Sequence, residues 1–326
     1  MEKTTEENLY GLGCELVEDD ERNFGYHNIA VGGVIDLPDE FEVETPHTYQ
    51  GSIDSCVGQA VAGAKSTQEN DPKSPRFLWS LCKRAQKYKG WGTNVPLALK
   101  MLQKIGVPKL STISEDPKLP RETYMRVSDN SAQSVYDEAA EAKSDSYWYV
   151  YSKNLQLVKQ ALFTEKIPLV TTMMWYKEYN QPIDGFLPRP KNEAAGHGFR
   201  FVGWKKIGDR YRWKFKNSFR EEWGVEKGCF YIWEDELNSI YNIGTFFITV
   251  DIPKEEASIM DKYAGELIKN ADDAKVFFVQ GRDIVWIQSE DTFNFGKNKM
   301  WGDWNDILTV PEELKETKKL SLNSAS

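Results

Sequence analysis

The sequence predicts an α+β protein built from two lobes, a helical one followed by an antiparallel β one, with a small α/β module appended. Three observations carry this. Apolar residues recur at helical spacing between about residues 56 and 105. From Tyr147 onward the period shortens to alternation, in runs rich in β-branched and aromatic side chains. Beyond residue 252 a third pattern begins, a helix-like stretch and then a hairpin. The boundaries read as an N-terminal extension over 1–35, the two-lobed body over 36–252 (helical about 50–146, β about 147–252), a module over 253–314 and a flexible tail over 315–326.

Taken in order, the first 38 or so residues look peripheral, and the charge run Glu18–Arg22 reads as a solvated patch. Ile35-Asp36-Leu37-Pro38 marks entry into the compact part. A turn-rich approach, Gly51 to Ser55, then delivers Cys56 to the small apolar run Val57–Ala64, a buried helix with Ser55 at its N-cap. Gly58 and Gly63 each cost such a helix about 1 kcal/mol relative to alanine, so they imply close backbone packing. Helices follow over 76–88 and 95–105, the second closed by Gly106 and Pro108. Residues 111–146 form a polar crossing in which Ala139, Ala140 and Ala142 permit a short helix. The β lobe comprises strands over 147–151, 168–175, 198–204, 211–216, 229–233 and 244–250, with a helix over 155–163.

Composition limits the function. The 326 residues are 40% hydrophobic and 13% aromatic, a globular balance long enough for about two domains. Fifty acidic against 41 basic residues leave a net charge of −9, which argues against a nucleic-acid or anionic-membrane partner. No apolar run reaches the length of a membrane span, and the polar start Met1–Asn8 is not a signal peptide. Four cysteines (14, 56, 82, 229) lie far apart without a CxxC pair, so a reducing, cytoplasmic setting is expected, with no metal and no cofactor. Neither an HExxH motif nor a serine in a nucleophile's setting is present.

The chemistry is expected at Cys56. A thiol at a helix N-terminus feels the positive end of the dipole, which favours thiolate; a lone cysteine on an apolar helix is otherwise a small buried hydrophobe. His197 sits among small residues in Ala194-Ala195-Gly196-His197-Gly198, where an imidazole could face a cleft or be a satisfied structural group. Asn217 ends a strand; its carbonyl could fix the tautomer of His197, or Asn217-Ser218 could simply be a turn.

Taken together these segments resemble the papain-like cysteine peptidases. Gln50 and Cys56 match that family's Q-x5-C block, His197 its G-H strand, and Asn217-Ser218 with Trp223-Gly224 its N-S-[aromatic]-x3-W-G block. The resemblance covers roughly residues 36–252 and is strengthened by Leu37-Pro38 and Gly92. It departs at Ile53, where many secreted members carry a disulfide cysteine, and at Val57 and Phe219, each of which replaces a tryptophan. The first 38 residues leave no room for the family's long helical propeptide, and the chain looks similar to prodomain-poor bacterial and phage members.

The resemblance implies a cysteine endopeptidase acting on a peptide or protein substrate, or a related amide hydrolase acting on unusual peptides such as cell-wall stems. Cys56 would be the nucleophile, His197 the acid and base, Asn217 the orienting group and Gln50 an oxyanion donor. Gly92 would bind extended substrate, Val95, Pro96 and Ala195 would line an apolar pocket, and Phe219 and Trp223 would shield the His–Asn contact. The alternative is an idle scaffold that binds through its C-terminal module. That module, with a helix expected over Ile259–Asn270, a hairpin through Val276–Ile287 and the aromatics Phe293, Phe295, Trp301 and Trp304, offers a small core or a glycan- or peptide-binding face.

Overall fold

The computed structural model describes residues 11–16, 35–191 and 194–251, then residues 263, 266–270, 275–280, 283–287, 307–310 and 318–319. Expectations for Met1–Asn8, Glu18–Arg22, Phe293, Phe295, Trp301 and Trp304 fall outside these residues. The chain divides into two compact units, Met1–Phe24 with Asp36–Thr249, and Gly25–Ile35 with Val250–Ser326.

The first unit is organised on helix α1, Cys56–Glu69, which is buried without interruption from Cys56 to Ser66. It runs five residues past the expected end because its polar continuation is satisfied internally. Lys65 Nζ reaches the Lys143 carbonyl at 2.9 Å and Glu69 at 2.7 Å, and Ser66 Oγ donates to the Ala62 carbonyl. Both helix glycines sit at close approaches. A Cβ on Gly58 would lie 2.9 Å from the Pro75 carbonyl oxygen, and one on Gly63 would overlap the Arg200 guanidinium. Arg200, fully buried, donates to Thr45 Oγ1 at 2.8 Å and to the Pro46 carbonyl at 3.0 Å.

Helix α2, Pro75–Ala85, begins where Ser74 Oγ accepts the Phe77 N–H and proline occupies the first turn. Asn94 caps α3, Val95–Lys104, in the same way. Two short helices, α4 (Arg121–Met125) and α5 (Gln133–Glu141), complete the helical lobe. Ile53 packs into a cluster with Trp79, Tyr124 and Met125. All four cysteines are free and buried.

The β lobe is one seven-stranded sheet. Strands β1 (Glu40–Glu42), β2 (Ser146–Val150), β3 (Leu169–Tyr176), β4 (Ala194–Ile207), β5 (Arg210–Lys216), β6 (Cys229–Trp233) and β7 (Phe246–Val250) are ordered β2-β7-β3-β4-β5-β6, with β1 on β4. Helix α6, Leu155–Glu165, connects β2 to β3. The β3–β4, β4–β5 and β5–β6 pairings are antiparallel. Strand β4 carries a bulge: Phe201 pairs with Phe215 and Gly203 with Lys214, leaving Val202 without a partner on β5. Beyond it Trp204 opposes Trp213, and Phe41 of β1 pairs with Trp204.

The second unit holds a five-stranded sheet in the order β11-β8-β9-β10-β12, from β8 (Leu267–Asn270), β9 (Val276–Gln280), β10 (Asp283–Ile287), β11 (Leu308–Val310) and β12 (Lys318–Lys319). Strands β9 and β10 pair antiparallel, from Gln280 with Asp283 to Val276 with Ile287, as the expected hairpin requires. The helix expected to continue to Asn270 does not: residues 267–270 are a strand. Leu267 and Ile268 point into different clusters, Leu267 beside Val276, Phe278 and Ile287, and Ile268 beside Phe277, Val279 and Ile284. Alternate burial on two faces suits a strand. Lys318–Lys319, in the stretch expected to be frayed, pairs in parallel with Val285 and Trp286.

Candidate active site

Cys56 is the first residue of α1 and is fully buried. Ser55 holds the N-cap position without a side-chain cap. Its hydroxyl instead takes Gln59 Nε2 at 3.3 Å and Tyr124 Oη at 3.4 Å. The sulfur faces backbone N–H groups of Gly198, Gly13 and Val57. Gly198 follows His197 on β4 and abuts α1; a Cβ there would stand 3.4 Å from Val57 Cγ2. The small residues around His197 therefore let the strand carrying the imidazole approach the helix carrying the thiol.

His197 is fully buried on β4, opposite Met173 of β3. Its ring is caged by Trp175 at 4.7 Å, Phe219 at 5.0 Å and Phe199 at 6.1 Å between centroids. Nε2 lies 2.8 Å from Asn217 Oδ1, which also accepts the Ser218 N–H at 2.8 Å. Two donors on one amide oxygen fix which way the carboxamide faces. Because that oxygen can only accept, Nε2 carries the hydrogen and Nδ1 is the free base. Nδ1 is buried and without a hydrogen-bond partner. Trp223 packs on Phe219 at 5.2 Å and anchors itself through Nε1 to the Asn180 carbonyl.

Gln50 is fully buried and rigidly held. Its carbonyl oxygen accepts from Ser218 Oγ at 2.5 Å, and its backbone N–H donates to the Ser218 carbonyl at 3.0 Å. Its amide donates to the carbonyls of Ile53 at 2.8 Å and Gly11 at 2.6 Å.

The resting electrostatics differ from the expected thiolate. Burial pushes the Cys56 thiol up to about 11, outweighing the backbone N–H groups that favour the anion. Burial likewise lowers His197 to about 4, against the opposing pull of Asn217. Thiol and imidazole are thus both neutral at pH 7 in this state. The segment Gly11–Leu16, expected to be peripheral, is instead partly buried at Gly11, Gly13 and Cys14, and the Gly13 N–H is one of the groups that favour the anion.

The remaining expected residues separate. Gly92 does not pair with an extended chain: its carbonyl accepts from Lys83 Nζ at 2.7 Å. Its neighbour Thr93 does, donating its N–H to the Gly13 carbonyl and accepting the Glu15 N–H, each at 2.8 Å. Gly92 instead leaves room, since a Cβ there would stand 2.6 Å from the Gly13 oxygen. Val95 is buried at the start of α3, Pro96 is half-buried and Ala195 is exposed. Sequence reasoning missed Thr93, and also Glu115, a buried carboxyl bonded to Tyr124 Oη and, at 3.0 Å, to Gln59 Nε2. Among the described residues no His, Cys, Asp and Glu side chains gather as a metal site would require, and no helix is long and apolar enough to cross a membrane.

A helical lobe with a cysteine at the tip of its central helix, set against an antiparallel lobe with a histidine–asparagine pair, defines the class of thiol hydrolases. The family model for papain family cysteine proteases matches residues 78–246, just over half of the chain and including His197 and Asn217, though not Gln50 and Cys56. The chain belongs to that family and is a cysteine peptidase. Among solved structures it is similar to xylellain, a cysteine protease from Xylella fastidiosa, with a TM-score of 0.65 and 19% identity over 75% of this chain and 97% of that one. It is also similar to digestive procathepsin L2 from Tenebrio molitor larval midgut, with a TM-score of 0.57 and 16% identity over 74% and 78% of the two chains. No curated protein matches it by sequence.

Proposed function

We propose that the chain hydrolyses peptide bonds through a Cys56–His197–Asn217 triad and a thioester intermediate. The observation that carries this reading is the His197 Nε2 to Asn217 Oδ1 contact of 2.8 Å, which leaves Nδ1 as a free base on the strand that abuts Cys56. As the sulfur attacks a substrate carbonyl carbon, its proton passes to Nδ1. The developing oxyanion is held by the Cys56 N–H and the Gln50 amide, one such donor being worth roughly 2.7–4 kcal/mol of barrier. His197 returns the proton to the departing amine as the C–N bond breaks. Water then attacks the thioester with His197 as base, releasing the acid and restoring the thiol. Asn217 keeps the imidazole in the reactive tautomer, while Phe219 and Trp223 exclude water from the contact.

The test is Cys56-dependent reaction with an epoxide thiol inhibitor, together with hydrolysis of a quenched fluorogenic peptide. Both are measured on the unaltered chain and on Gly13→Ala, whose added Cβ would lie 2.2 Å from the Asp54 carbonyl oxygen and push residue 13 off the sulfur, with Cys56→Ala as control. Labelling and turnover that vanish in Cys56→Ala are expected. A folded protein that shows neither, in either form, overturns the reading and leaves a binding scaffold.

A further inference from the structure

Ser55 stands one residue before the nucleophile, and its backbone is unlike that of the residues that cap α2 and α3. Ser74 and Asn94 are extended, with ψ of 106° and 159°, and each accepts an N–H of its helix on its side chain. Ser55 has φ −98° and ψ 13° and caps nothing. The ψ of residue 55 sets the plane of the peptide between 55 and 56, and with it the direction of the Cys56 N–H. In the extended form of Ser74 that peptide would be turned through roughly a right angle, and the N–H would point elsewhere.

A run of buried polar groups holds Ser55 in its unusual form. Its carbonyl accepts the Gln59 N–H at 2.9 Å, and its hydroxyl meets Gln59 Nε2 at 3.3 Å and Tyr124 Oη at 3.4 Å. The hydroxyl is thus engaged with α4 and with the Gln59 side chain, not with the N–H groups that open α1. Gln59 Nε2 and Tyr124 Oη both donate to the same oxygen of Glu115, Gln59 at 3.0 Å. Glu115 is therefore the common anchor of the two groups that reach Ser55.

The loop that carries Glu115 also stands behind the second oxyanion donor. Gly51, next to Gln50, has φ +57°, and a Cβ there would lie 2.6 Å from Pro117 Cβ. Residues 115–117 thus back Gln50–Gly51 on one side and Ser55–Cys56 on the other. We infer that Glu115 is a positioning residue for the oxyanion hole, acting through Gln59 and Tyr124 on Ser55 to aim the Cys56 N–H. That role rests on the triad reading for what the N–H does, but the direction of the N–H does not.

The experiment uses the full chain, unaltered or Gly13→Ala, whichever turns over the fluorogenic peptide faster. Rates are taken at pH 6, below the value of about 7 to which burial raises the Glu115 carboxyl, and per Cys56 titrated by the epoxide inhibitor. Glu115→Ala should lower kcat about tenfold with KM little changed, a fraction of the hundred- to thousandfold that loss of a whole oxyanion donor costs. Tyr124→Phe leaves the ring against Trp79 and removes only the hydroxyl; it should act in the same direction, and it carries the test if Glu115→Ala does not fold. Glu115→Gln restores the accepting oxygen and should recover most of the loss. In a Ser55→Ala background, Glu115→Ala should cost nothing more. Unchanged kcat in Glu115→Ala and Tyr124→Phe, a loss confined to KM, or losses that add to that of Ser55→Ala overturn the role. The amide resonance of Cys56, read with isotope-labelled cysteine, should shift in Glu115→Ala and Tyr124→Phe while those of Cys82 and Cys229 stay and report an intact fold. Absence of turnover in every form counts against the triad reading, and the amide then decides: a shifted Cys56 signal supports the placement by Glu115, and an unshifted one refutes it.

Discussion

Replacing Glu115 by glutamine should make the protein more stable at pH 8 than at pH 4.5, measured relative to the unaltered chain. The carboxyl lies among Tyr124, Gln59 and Ser55, directly behind the start of the nucleophile's helix. Burial raises it from 4.5 to about 7, and hydrogen bonds from Tyr124 and Gln59 only partly oppose this. One oxygen accepts both of those bonds while the other has no partner, so the group is arranged as a neutral acid. A carboxyl whose folded pKa is raised binds its proton more tightly when folded. Its stabilising contribution is complete below about pH 4.5, declines as pH rises, and is gone above about pH 7. At 1.36 kcal/mol per unit, the shift is worth about 3 kcal/mol across that window. Glutamine keeps the accepting oxygen, places an NH2 where the acid proton would sit and cannot ionise. Urea unfolding of both proteins in parallel, at pH 4.5, 6 and 8, should show the variant's advantage grow from near zero to about 3 kcal/mol. A gap that stays constant with pH would show that Glu115 does not titrate in the folded state as argued.

Other expectations concern the cleft and its supports. In the Gly13→Ala background, Asn217→Ala should lower kcat/KM ten- to a hundredfold, since a hydrogen bond to a charged ring is worth about 1.5–3 kcal/mol; a loss under threefold in peptide hydrolysis would mean the aromatic cage alone orients His197. Trp175→Ala empties the space between His197, Phe219, Trp223 and Phe230, and should cost about 3–5 kcal/mol in denaturant unfolding. Gly63→Ala forces a methyl onto the Arg200 guanidinium and should cost about 1–3 kcal/mol, read from the unfolding midpoint. Because burial holds the Cys56 thiol near 11, its alkylation in the unaltered chain should still be rising at pH 10. In Gly13→Ala, with water admitted, the same profile should level off at lower pH.

Much of the site was legible because chemistry restricts what can stand at a strand end or a helix tip. Cys56 at a helix start, His197 among glycines and Asn217 closing a strand are unusual placements together, and the apolar spacing over 76–88 and 95–105 announced α2 and α3. What escaped was set by distant partners. Gly11-Leu12-Gly13-Cys14 has no periodicity, and its contacts lie on Gly51, Thr93 and Gly196, so it read as an edge. Thr93 was hidden beside Gly92, the residue whose composition attracts attention, although it is Thr93 that supplies the N–H and carbonyl. Glu115 sat in a polar crossing and gave no sign that its carboxyl was indoors. In the second unit, Leu267 and Ile268 continued a helical rhythm that two separate apolar clusters overrode.

The bulge at Val202, which has no partner on β5, has a wider consequence. His197 is placed by its pairing with β3, upstream of the bulge, while the far half of β4 is phased by β1 and by the turn into β5. The two halves of one continuous strand thus keep separate clocks. A change at the tip around Gly208 leaves His197 and Asn217 facing each other only so long as Arg200 and Phe201 keep their pairing with Lys216 and Phe215, so the bulge is where a longer or shorter tip has to be absorbed.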